Sequence, residues 1–449
     1  MTNTNPFDVA VVGGGIVGLI TTLGLLRRGI SVKLYEQASN FHEIGAGVAF
    51  TANAQKCMEL LDPRVLQAMR NVMSNNPADY YRYADGYGQP ATNGVHKENG
   101  INNENEEKRG AEKGLLFQIY AGEAKFDACH RAHLLDELVR VLPKGLVQFR
   151  KRLETYVDDD EQEKVLLKFT DGSTAEADVV IGCDGIKSRV RQAMFGAGNP
   201  VSYAHYTHKV AFRGLIGMDD AVAVLGRDRA WNQCMHMGPK AHLLHFPVAQ
   251  HTMINVVAFV DDPLEWPVEE MSVVTSRAEA AEAFANWNPT VRALIGLLPE
   301  QLTKWAIFDT YDYPAPTYSR GRVCMAGDAA HASSPHHGAG AGFGVEDALA
   351  LATVLNKAGS DLRSSDVVVD KATALKAALQ AYSTVRLERT QWLVQSARQV
   401  CDVYEWSFEG VWDDPDKCKQ EIEWRSNRIW YFEIEQMLQE VETEYRRRI

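Results

Sequence analysis

The sequence predicts an α/β protein in three parts: a parallel sheet that opens the chain, an inserted, mostly antiparallel β-sheet, and a helical C-terminal region. Three observations predict it: an apolar strand, a glycine turn and a helix follow Phe7 directly; strand-like alternation dominates Lys209 to Val260; and helical patterning prevails after His331. FDVAVV (Phe7 to Val12) reads as a fully buried strand, rich in β-branched residues and without alternation. IVGLITTLGLLRRG (Ile16 to Gly29) reads as a helix with a basic last turn and a glycine stop, and SVKLYEQ (Ser31 to Gln37) as the next parallel strand. The uncharged run from Val9 to Leu26 reaches the roughly 18-residue lower limit of a membrane span. Gly13, Gly14, Gly15 and Gly18 interrupt it, so strand, turn and helix is the better reading.

Farther along, a helix is expected from His133 to Leu142, strands near Leu146 to Phe149 and Val165 to Phe169, and a buried strand in ADVVIGCDG. KVAFRGLI, HLLHFPV and MINVVAFV are the alternating strands of the separate sheet. GRVCMAGDAAH (Gly321 to His331) is a further strand and turn, and the tail from Trp406 to Phe432 is rich in tryptophan. Between Met73 and Gly114 the composition shifts to a polar, Asn/Glu-rich stretch without apolar periodicity, which reads in its second half, around Asn99 to Lys113, as an insertion with no assigned role.

Composition narrows the function classes. With 449 residues and 45% hydrophobic content the chain can build a large core in two or three lobes. Lys+Arg 47 against Asp+Glu 59 give a net charge of −12, which disfavours nucleic acid and anionic membranes as partners, because such binding rests on clustered Lys and Arg. The 7 cysteines stand singly, so neither a disulfide framework nor a zinc knuckle is expected, and a reducing compartment fits. The polar start without a basic segment argues against a secretory signal, so the expected location is cytoplasmic.

Gly13, Gly15 and Gly18 form G-x-G-x-x-G between the first strand and the first helix, and Glu36 ends the second strand. The first glycine permits the turn, the second lets backbone approach a pyrophosphate, and the third lets helix and strand close on each other. The helix N-terminus offers free N–H groups to phosphate, and Glu36 can accept from ribose hydroxyls. A Rossmann-type dinucleotide-binding unit follows. Asp184-Gly185, with Ser188 and Arg191 behind it, ends the strand ADVVIGCDG, and Gly327-Asp328 ends GRVCMAGDAAH. Turn-making or helix capping is the alternative for both aspartates.

A G-x-G-x-x-G, a DG segment and a GD segment in this order resemble the group A flavoprotein aromatic hydroxylases, built like p-hydroxybenzoate hydroxylase; the resemblance runs from Phe7 to about Arg389. It implies FAD as cofactor, with NADPH or NADH and O2 as co-substrates. It implies that Asp328 holds a flavin-side ribose hydroxyl, that Asp184 and Gly185 line the pyrophosphate and nicotinamide side, and that Arg131 touches the flavin side. The family's P-x-x-G-Q-G stands here as Pro335-His336-His337-Gly338-Ala339-Gly340, with alanine for the glutamine. This variant resembles salicylate hydroxylases and, closer still, the fungal polyketide hydroxylating dearomatases of the tropolone, sorbicillinoid and azaphilone type, through EIGAGVAFTANA, HKVAFRGLI, GPKAHLLHFPV and FDTYDYPAP. Gly47, Pro335, Gly338 and Gly340 accordingly join the cofactor-binding candidates. The expected division is an FAD-binding domain of residues 1–75, 115–200 and 300–385, a substrate-binding domain of residues 76–114 and 201–299, and a helical region of residues 386–449.

A flavin C4a-hydroperoxide delivers an electrophilic oxygen, so the substrate is expected to be an electron-rich small-molecule phenol held as its phenolate in a dry pocket. Arg213, in VAFRGLI, is the candidate cation, since an arginine amid apolar residues needs an anionic partner; a buried ion pair with a protein carboxylate is the alternative. The tropolone-pathway relative carries an arginine at this position and a tyrosine where this chain has Phe246. Tyr120, in FQIYAGEAKF, is expected to supply that hydroxyl from the opposite wall, against the alternative that it only packs. His242, His245, His336 and His337 are candidate donors, with His337 taken as catalytic and His242, Phe246 and Pro335 as substrate contacts. No ligand spacing suggests a metal.

The expectation is therefore hydroxylation of a substituted phenol ortho to its hydroxyl, with dearomatisation where the attacked carbon bears an alkyl group, on resorcinol or orcinaldehyde-type substrates. The alternatives are simple or decarboxylating hydroxylation of a salicylate-like acid, and a flavin-binding redox or interaction module without oxygenase activity. A monomer or homodimer is expected.

Overall fold

The computed structural model describes residues 6–41, 47–88, 114–159 and 161–449. The charge-free run near the N-terminus folds as the strand Asp8–Val12, the glycine turn and the helix Ile16–Arg27. Among the described residues no helix is long and apolar enough to cross a membrane. Asp8–Val12 lies inside a six-stranded sheet ordered Ser319–Arg320, Val323–Met325, Val179–Gly182, Asp8–Val12, Ser31–Tyr35 and Val147–Gln148, parallel throughout except for its first, edge strand. Helices Ile16–Arg27 and Gly340–Arg363 pack against each other and share one apolar core with this sheet, which is why its central strands carry no polar alternation. The helix expected from His133 begins at Arg131 and runs to Val141.

The eight-stranded sheet has the order Ser272–Ser276, Gln301–Asp309, His205–Gly217, Met253–Asp261, Ala241–Val248, Cys234–Gly238, Tyr80–Asp85 and Leu115–Tyr120. All its pairings are antiparallel but one, between Cys234–Gly238 and Tyr80–Asp85. Period-two alternation gives it two different faces. Val210, Phe212, Leu243, Val256 and Ala258 point into a core with the helices Met218–Leu225, Arg277–Ala283 and Pro289–Gly296. Ala211, Arg213, His242, Phe246, Val257 and Phe259 stand on the other face, toward the dinucleotide-binding sheet.

Three boundaries differ from expectation. Leu115–Tyr120 and Gln301–Asp309, placed by the divisions at 115 and 300 in the nucleotide-binding part, pair with Tyr80–Asp85 and His205–Gly217 and belong to the eight-stranded sheet. A strand's local pattern does not say which sheet it joins. The division at 386 falls within one continuous helix, Lys371–Tyr404, whose 34 residues contain neither glycine nor proline. The polar segment Asn99 to Lys113 lies outside the described residues.

Helices Gly340–Arg363 and Lys371–Tyr404 meet through a buried charge cluster. Asp347 accepts from Arg386 Nε at 2.8 Å, sits 2.6 Å from His331 Nε2 and accepts from the backbone N–H of Gly327 at 2.9 Å. Glu346 accepts from Arg389 Nε and Nη2 at 2.8 Å each, contacts Arg386 at 2.7 Å and accepts from Asn53 at 3.1 Å. Burial alone pushes both carboxyls up, but the surrounding His331, Arg386 and Arg389 outweigh it and hold both below the usual carboxylate range. The seven cysteines are buried and unpaired.

Substituting Arg386→Met leaves this carboxylate pair short of a cation and is expected to lower unfolding free energy by about 3 to 5 kcal/mol, read from urea midpoints. A second expectation concerns acid. His236, His242, His245 and His336 are buried, and burial depresses the basicity of each. Below about pH 6.5 the unfolded chain takes up protons that these imidazoles refuse in the folded state, so stability falls as pH drops, by up to about 1.4 kcal/mol per unit per histidine. Loss of the depressed carboxylates Glu346 and Asp347 adds to it below about pH 4. Urea midpoints between pH 8 and pH 5 that stay constant would contradict this.

Candidate functional site

Two cavities, of about 340 and 430 Å³, meet at Gly15, Arg131, Cys183 and Gly185 and together run from Glu36 to the loop Pro335–Gly340. The glycine motif builds the junction. Gly13 has φ +105, and a Cβ there would lie 2.3 Å from the Cys183 carbonyl oxygen; a Cβ on Gly18 would lie 1.9 Å from the Gly13 oxygen. Only glycine fits at either place. A Cβ on Gly15 meets nothing within 4 Å and would project into the space where the cavities join. The helix behind it, Ile16–Arg27, has no side-chain cap, so its first N–H groups are free for a ligand. Elongated space, a bare glycine cradle and an uncapped helix end are what a dinucleotide such as FAD requires.

Along the 430 Å³ cavity, Glu36 accepts from Gly14 N–H at 2.6 Å and Ala38 N–H at 2.7 Å. Asp184 lines it too, but its carboxylate is engaged as a helix cap, accepting from Ser188 Oγ at 2.5 Å, Arg189 N–H at 2.7 Å and Val190 N–H at 3.1 Å. The capping alternative thus describes its present contacts. Arg191 is buried against carbonyls of Ala329 and Ala330, and so ties this segment to the Gly327-Asp328 turn. Asp328 is exposed and lines the 340 Å³ cavity. The helix Gly340–Arg363 also starts without a side-chain cap, and Pro335, Gly338 and Gly340 line the same space, with Gly338 at φ +64.

The 340 Å³ cavity lies between that loop and the inner face of the eight-stranded sheet. Arg213 stands in its wall, on the strand paired to Met253–Asp261. Its Nε is buried without a hydrogen-bond acceptor, and among the described residues no carboxylate reaches it; its guanidinium lies 5.5 Å from the Trp305 ring. Burial, and then the nearby Arg131, lower its basicity to about 10, so it remains a cation at neutral pH. The buried ion-pair alternative is absent among the described residues. Phe246 is buried in the wall beside Gly47, whose Cβ would come within 2.9 Å of its ring.

Tyr120 is not in this wall. It is 57% exposed and stacks edgewise on Tyr80 at 5.1 Å on the outer face. Register explains the correction: Tyr80 pairs with Tyr120, Tyr81 with Ile119 and Tyr83 with Phe117, so the odd-numbered residues face inward. Tyr81 and Tyr83 line the cavity instead, Tyr81 accepting from Phe126 N–H at 2.6 Å and Tyr83 hydrogen-bonding to Tyr404. The alternation in YYRYAD, with Tyr81 and Tyr83 on one face, is the local signal that could have marked them.

The histidines divide. His337 lines the cavity, but its Nε2 lies 2.9 Å from Ser396 Oγ, and burial, then Arg425, depress it to about 3. His336 and His242 both line the cavity and lie 3.3 Å apart, while His245 pairs with His236 and does not line it. His242, His336 and Cys401 bring ligand-type atoms within 4.8 Å of one another. His242 commits both nitrogens to Glu405 and His336, and burial holds the Cys401 thiol protonated, so these residues form a hydrogen-bonded network rather than a metal cage. Gln233, Asn255, Tyr404 and Trp430 complete the wall; the last two come from the C-terminal helical region, and no local pattern marked them.

Comparison with known proteins agrees with this architecture. The profile of the FAD binding domain family matches residues 6–397. The chain is 50% identical over 443 residues to the FAD-dependent monooxygenase pigN of Monascus ruber, covering 98% of this chain and 97% of that protein. It is 46% identical to the salicylate hydroxylase asL1 of Sarocladium schorii, covering 98% and 91%. Among solved structures, a salicylate hydroxylase substrate complex superposes with a TM-score of 0.80 at 30% identity, covering 97% of this chain and 98% of that one. The chain belongs to the FAD binding domain family and is an FAD-dependent monooxygenase of the salicylate hydroxylase type.

Proposed function

We propose that this monooxygenase hydroxylates an electron-rich phenol ortho to its hydroxyl and, where the attacked carbon carries an alkyl group, dearomatises it, with resorcinol or orcinaldehyde-type aldehydes as substrates. The single observation that carries the reading is Arg213: a half-buried cation in the cavity wall whose buried Nε has no acceptor and which no carboxylate reaches among the described residues. Such a group calls for an anion from outside the chain, and a phenolate oxygen supplies it. The chemistry that FAD contributes when bound, with NADPH or NADH and O2 as co-substrates, is transfer of an electrophilic oxygen atom.

The chain's own residues hold and activate the ring. Arg213 favours the phenolate, which pushes electron density onto the ortho carbon. Phe246, Val257 and Phe259 flank the space with apolar surface and exclude water, which strengthens the Arg213 attraction. Pro335 and Gly338 line the space near the junction with the dinucleotide cavity, where Gly13, Gly15 and Arg131 would hold the cofactor, Gly18 closes helix on strand behind them, Glu36 and Asp328 would offer carboxylates along its length, and Asp184 would shape the wall through the helix it caps. The likeness to fungal FAD-dependent monooxygenases supports a polyketide phenol; the likeness to salicylate hydroxylase proteins favours, as the second reading, a phenol bearing a carboxylate, which Arg213 would also suit.

The test is NADPH oxidation in air by the FAD-loaded protein with 3-methylorcinaldehyde, whose carbon between the two hydroxyls carries a methyl group, and with salicylate. Stimulation by 3-methylorcinaldehyde and a product heavier by one oxygen without the aromatic band are expected; stimulation by salicylate alone, with loss of carbon dioxide, would select the second reading. Arg213→Met is expected to reduce kcat/KM by about 10- to 100-fold while FAD stays bound, the loss of one hydrogen bond to a charged group. Tyr120→Phe is expected to leave turnover and product stereochemistry unchanged, since its ring faces outward.

A further inference from the structure

Where the eight-stranded sheet walls the 340 Å³ cavity, it does so with a cross-strand row. Arg213 pairs with Val257, Val257 with Leu244, Leu244 with Met235 and Met235 with Tyr83, and all five line the cavity. The row begins at a cation, crosses three apolar side chains and ends at a tyrosine already hydrogen-bonded to Tyr404. Neighbouring strands lie about 4.8 Å apart, so the two ends are about 19 Å from each other along the sheet, whereas a phenol ring covers little more than one spacing. Arg213 widens the gap. Its guanidinium leans 5.5 Å over the Trp305 ring, on the strand that flanks its own on the side away from Val257.

The far end of the row holds an unsatisfied polar group. Gln233 lines the cavity two residues before Met235 and on the same face, beside Tyr81, which precedes Tyr83 by two residues on the parallel neighbour. Gln233 is 4% exposed, and its Oε1 is buried without a hydrogen-bond donor among the described residues. The position is firmly built: the Gln233 N–H donates to Asn76 Oδ1 at 2.7 Å, the Asn76 amide donates to the Ala78 carbonyl at 2.7 Å, and Trp430 closes the space by meeting Tyr81 edge-on at 5.8 Å. A buried acceptor without a donor costs free energy that a methionine, as at Met235, would not. Gln233 and Arg213 stand three strands apart, about 14 Å, so a single ring cannot reach both.

We propose that Gln233 is a specificity-determining residue that accepts a hydrogen bond from a hydroxyl on a side chain of the phenol, while Arg213 holds the phenolate at the opposite end of the row. The substrate class is then a phenol bearing an aliphatic side chain that carries an alcohol, rather than a bare ring such as salicylate. This rests on the phenol-oxidising reading above and names the part of the substrate which that reading leaves open. Val257, Leu244 and Met235 offer the carbons of the side chain apolar contact only, so its oxygen finds its partner at the end of the row. Gln233 touches the substrate away from the reacting carbon; it fixes which phenol is held and where its ring lies, and makes or breaks no covalent bond.

Matched pairs of phenols test this with the FAD-loaded protein. In 3-methylorcinaldehyde the ring methyl beside the aldehyde is replaced by chains of three to five carbons that carry a hydroxyl next to the terminal methyl, and each is paired with the chain that has a methyl group in place of the hydroxyl. Wild-type protein is expected to favour the hydroxyl member of at least one pair by about tenfold, both in kcat/KM for NADPH oxidation and in the Kd read from the flavin absorption band. Gln233→Met, close in length and shape, is expected to bring that ratio to about one while 3-methylorcinaldehyde itself reacts as before; Gln233→Leu is expected to do the same. A merely structural role would lower turnover of every phenol together and leave the ratio at its wild-type value, which overturns the proposal. Equal constants within every pair on wild-type protein mean that water satisfies Gln233, and overturn it without any variant. If none of these phenols stimulates NADPH oxidation, the phenol-oxidising reading itself fails; if 3-methylorcinaldehyde does and the pairs are not distinguished, that reading stands and the role of Gln233 alone falls.

Discussion

The cluster of Glu346 and Asp347 with Arg386, Arg389 and His331 is the interaction on which the rest of the molecule depends. Asp347 holds the Gly327 N–H and the His331 ring, and thereby fixes the turn that presents Asp328 to the cavity. Through Arg386 and Arg389 the same carboxylates clamp the helix Gly340–Arg363 to Lys371–Tyr404. Charges so deeply buried stay in place only when fully paired, so the geometry is all or nothing. A shift of either helix would move the uncapped N-terminus at Gly340, and Tyr404 and Glu405 with it.

The second organising constraint is the two-faced eight-stranded sheet. Its outer face is ordinary apolar core, but its inner face alternates aromatic and aliphatic surface with a few polar groups, among them Arg213, His242 and Asn255. Arg213 is left as a donor without an acceptor, whereas His242 is fully bonded and aimed away from the cavity toward Glu405. One wall thus carries an unpartnered donor and another a hydrogen-bonded chain that ends at Glu405. That division of labour is legible only when both walls are seen around one space. The C-terminal helices close it, through Tyr404 and Trp430, which makes the helical region part of the site rather than an appendage.

Much of this was readable in the chain. The strand–turn–helix unit at Asp8–Arg27 is local: β-branched residues, glycines at a turn and a helix-forming run specify it within one short segment, and the contacts of Gly13 and Gly18 show why no other residue serves there. Arg213 was readable for a similar reason, since a charge in an apolar strand is anomalous wherever the strand goes. The Asp184 segment was readable as a turn, although its carboxylate is engaged in capping.

Tertiary structure alone decided the rest. Whether Tyr120 or its neighbours on the paired strand enter the cavity depends on register, and a shift of one residue turns every side chain to the opposite face. The joining of Leu115–Tyr120 and Gln301–Asp309 to the eight-stranded sheet is likewise a long-range pairing that no local pattern encodes. His336, His242 and Glu405 come from a loop, a strand and a helix end far apart in sequence, so nothing in their spacing announces that they touch. The sequence by itself determined the dinucleotide-binding unit and the need for an anion at Arg213, because both arise from local conformation and the cost of burying charge; the walls of the site were decided by the fold, because they are made of contacts between distant segments.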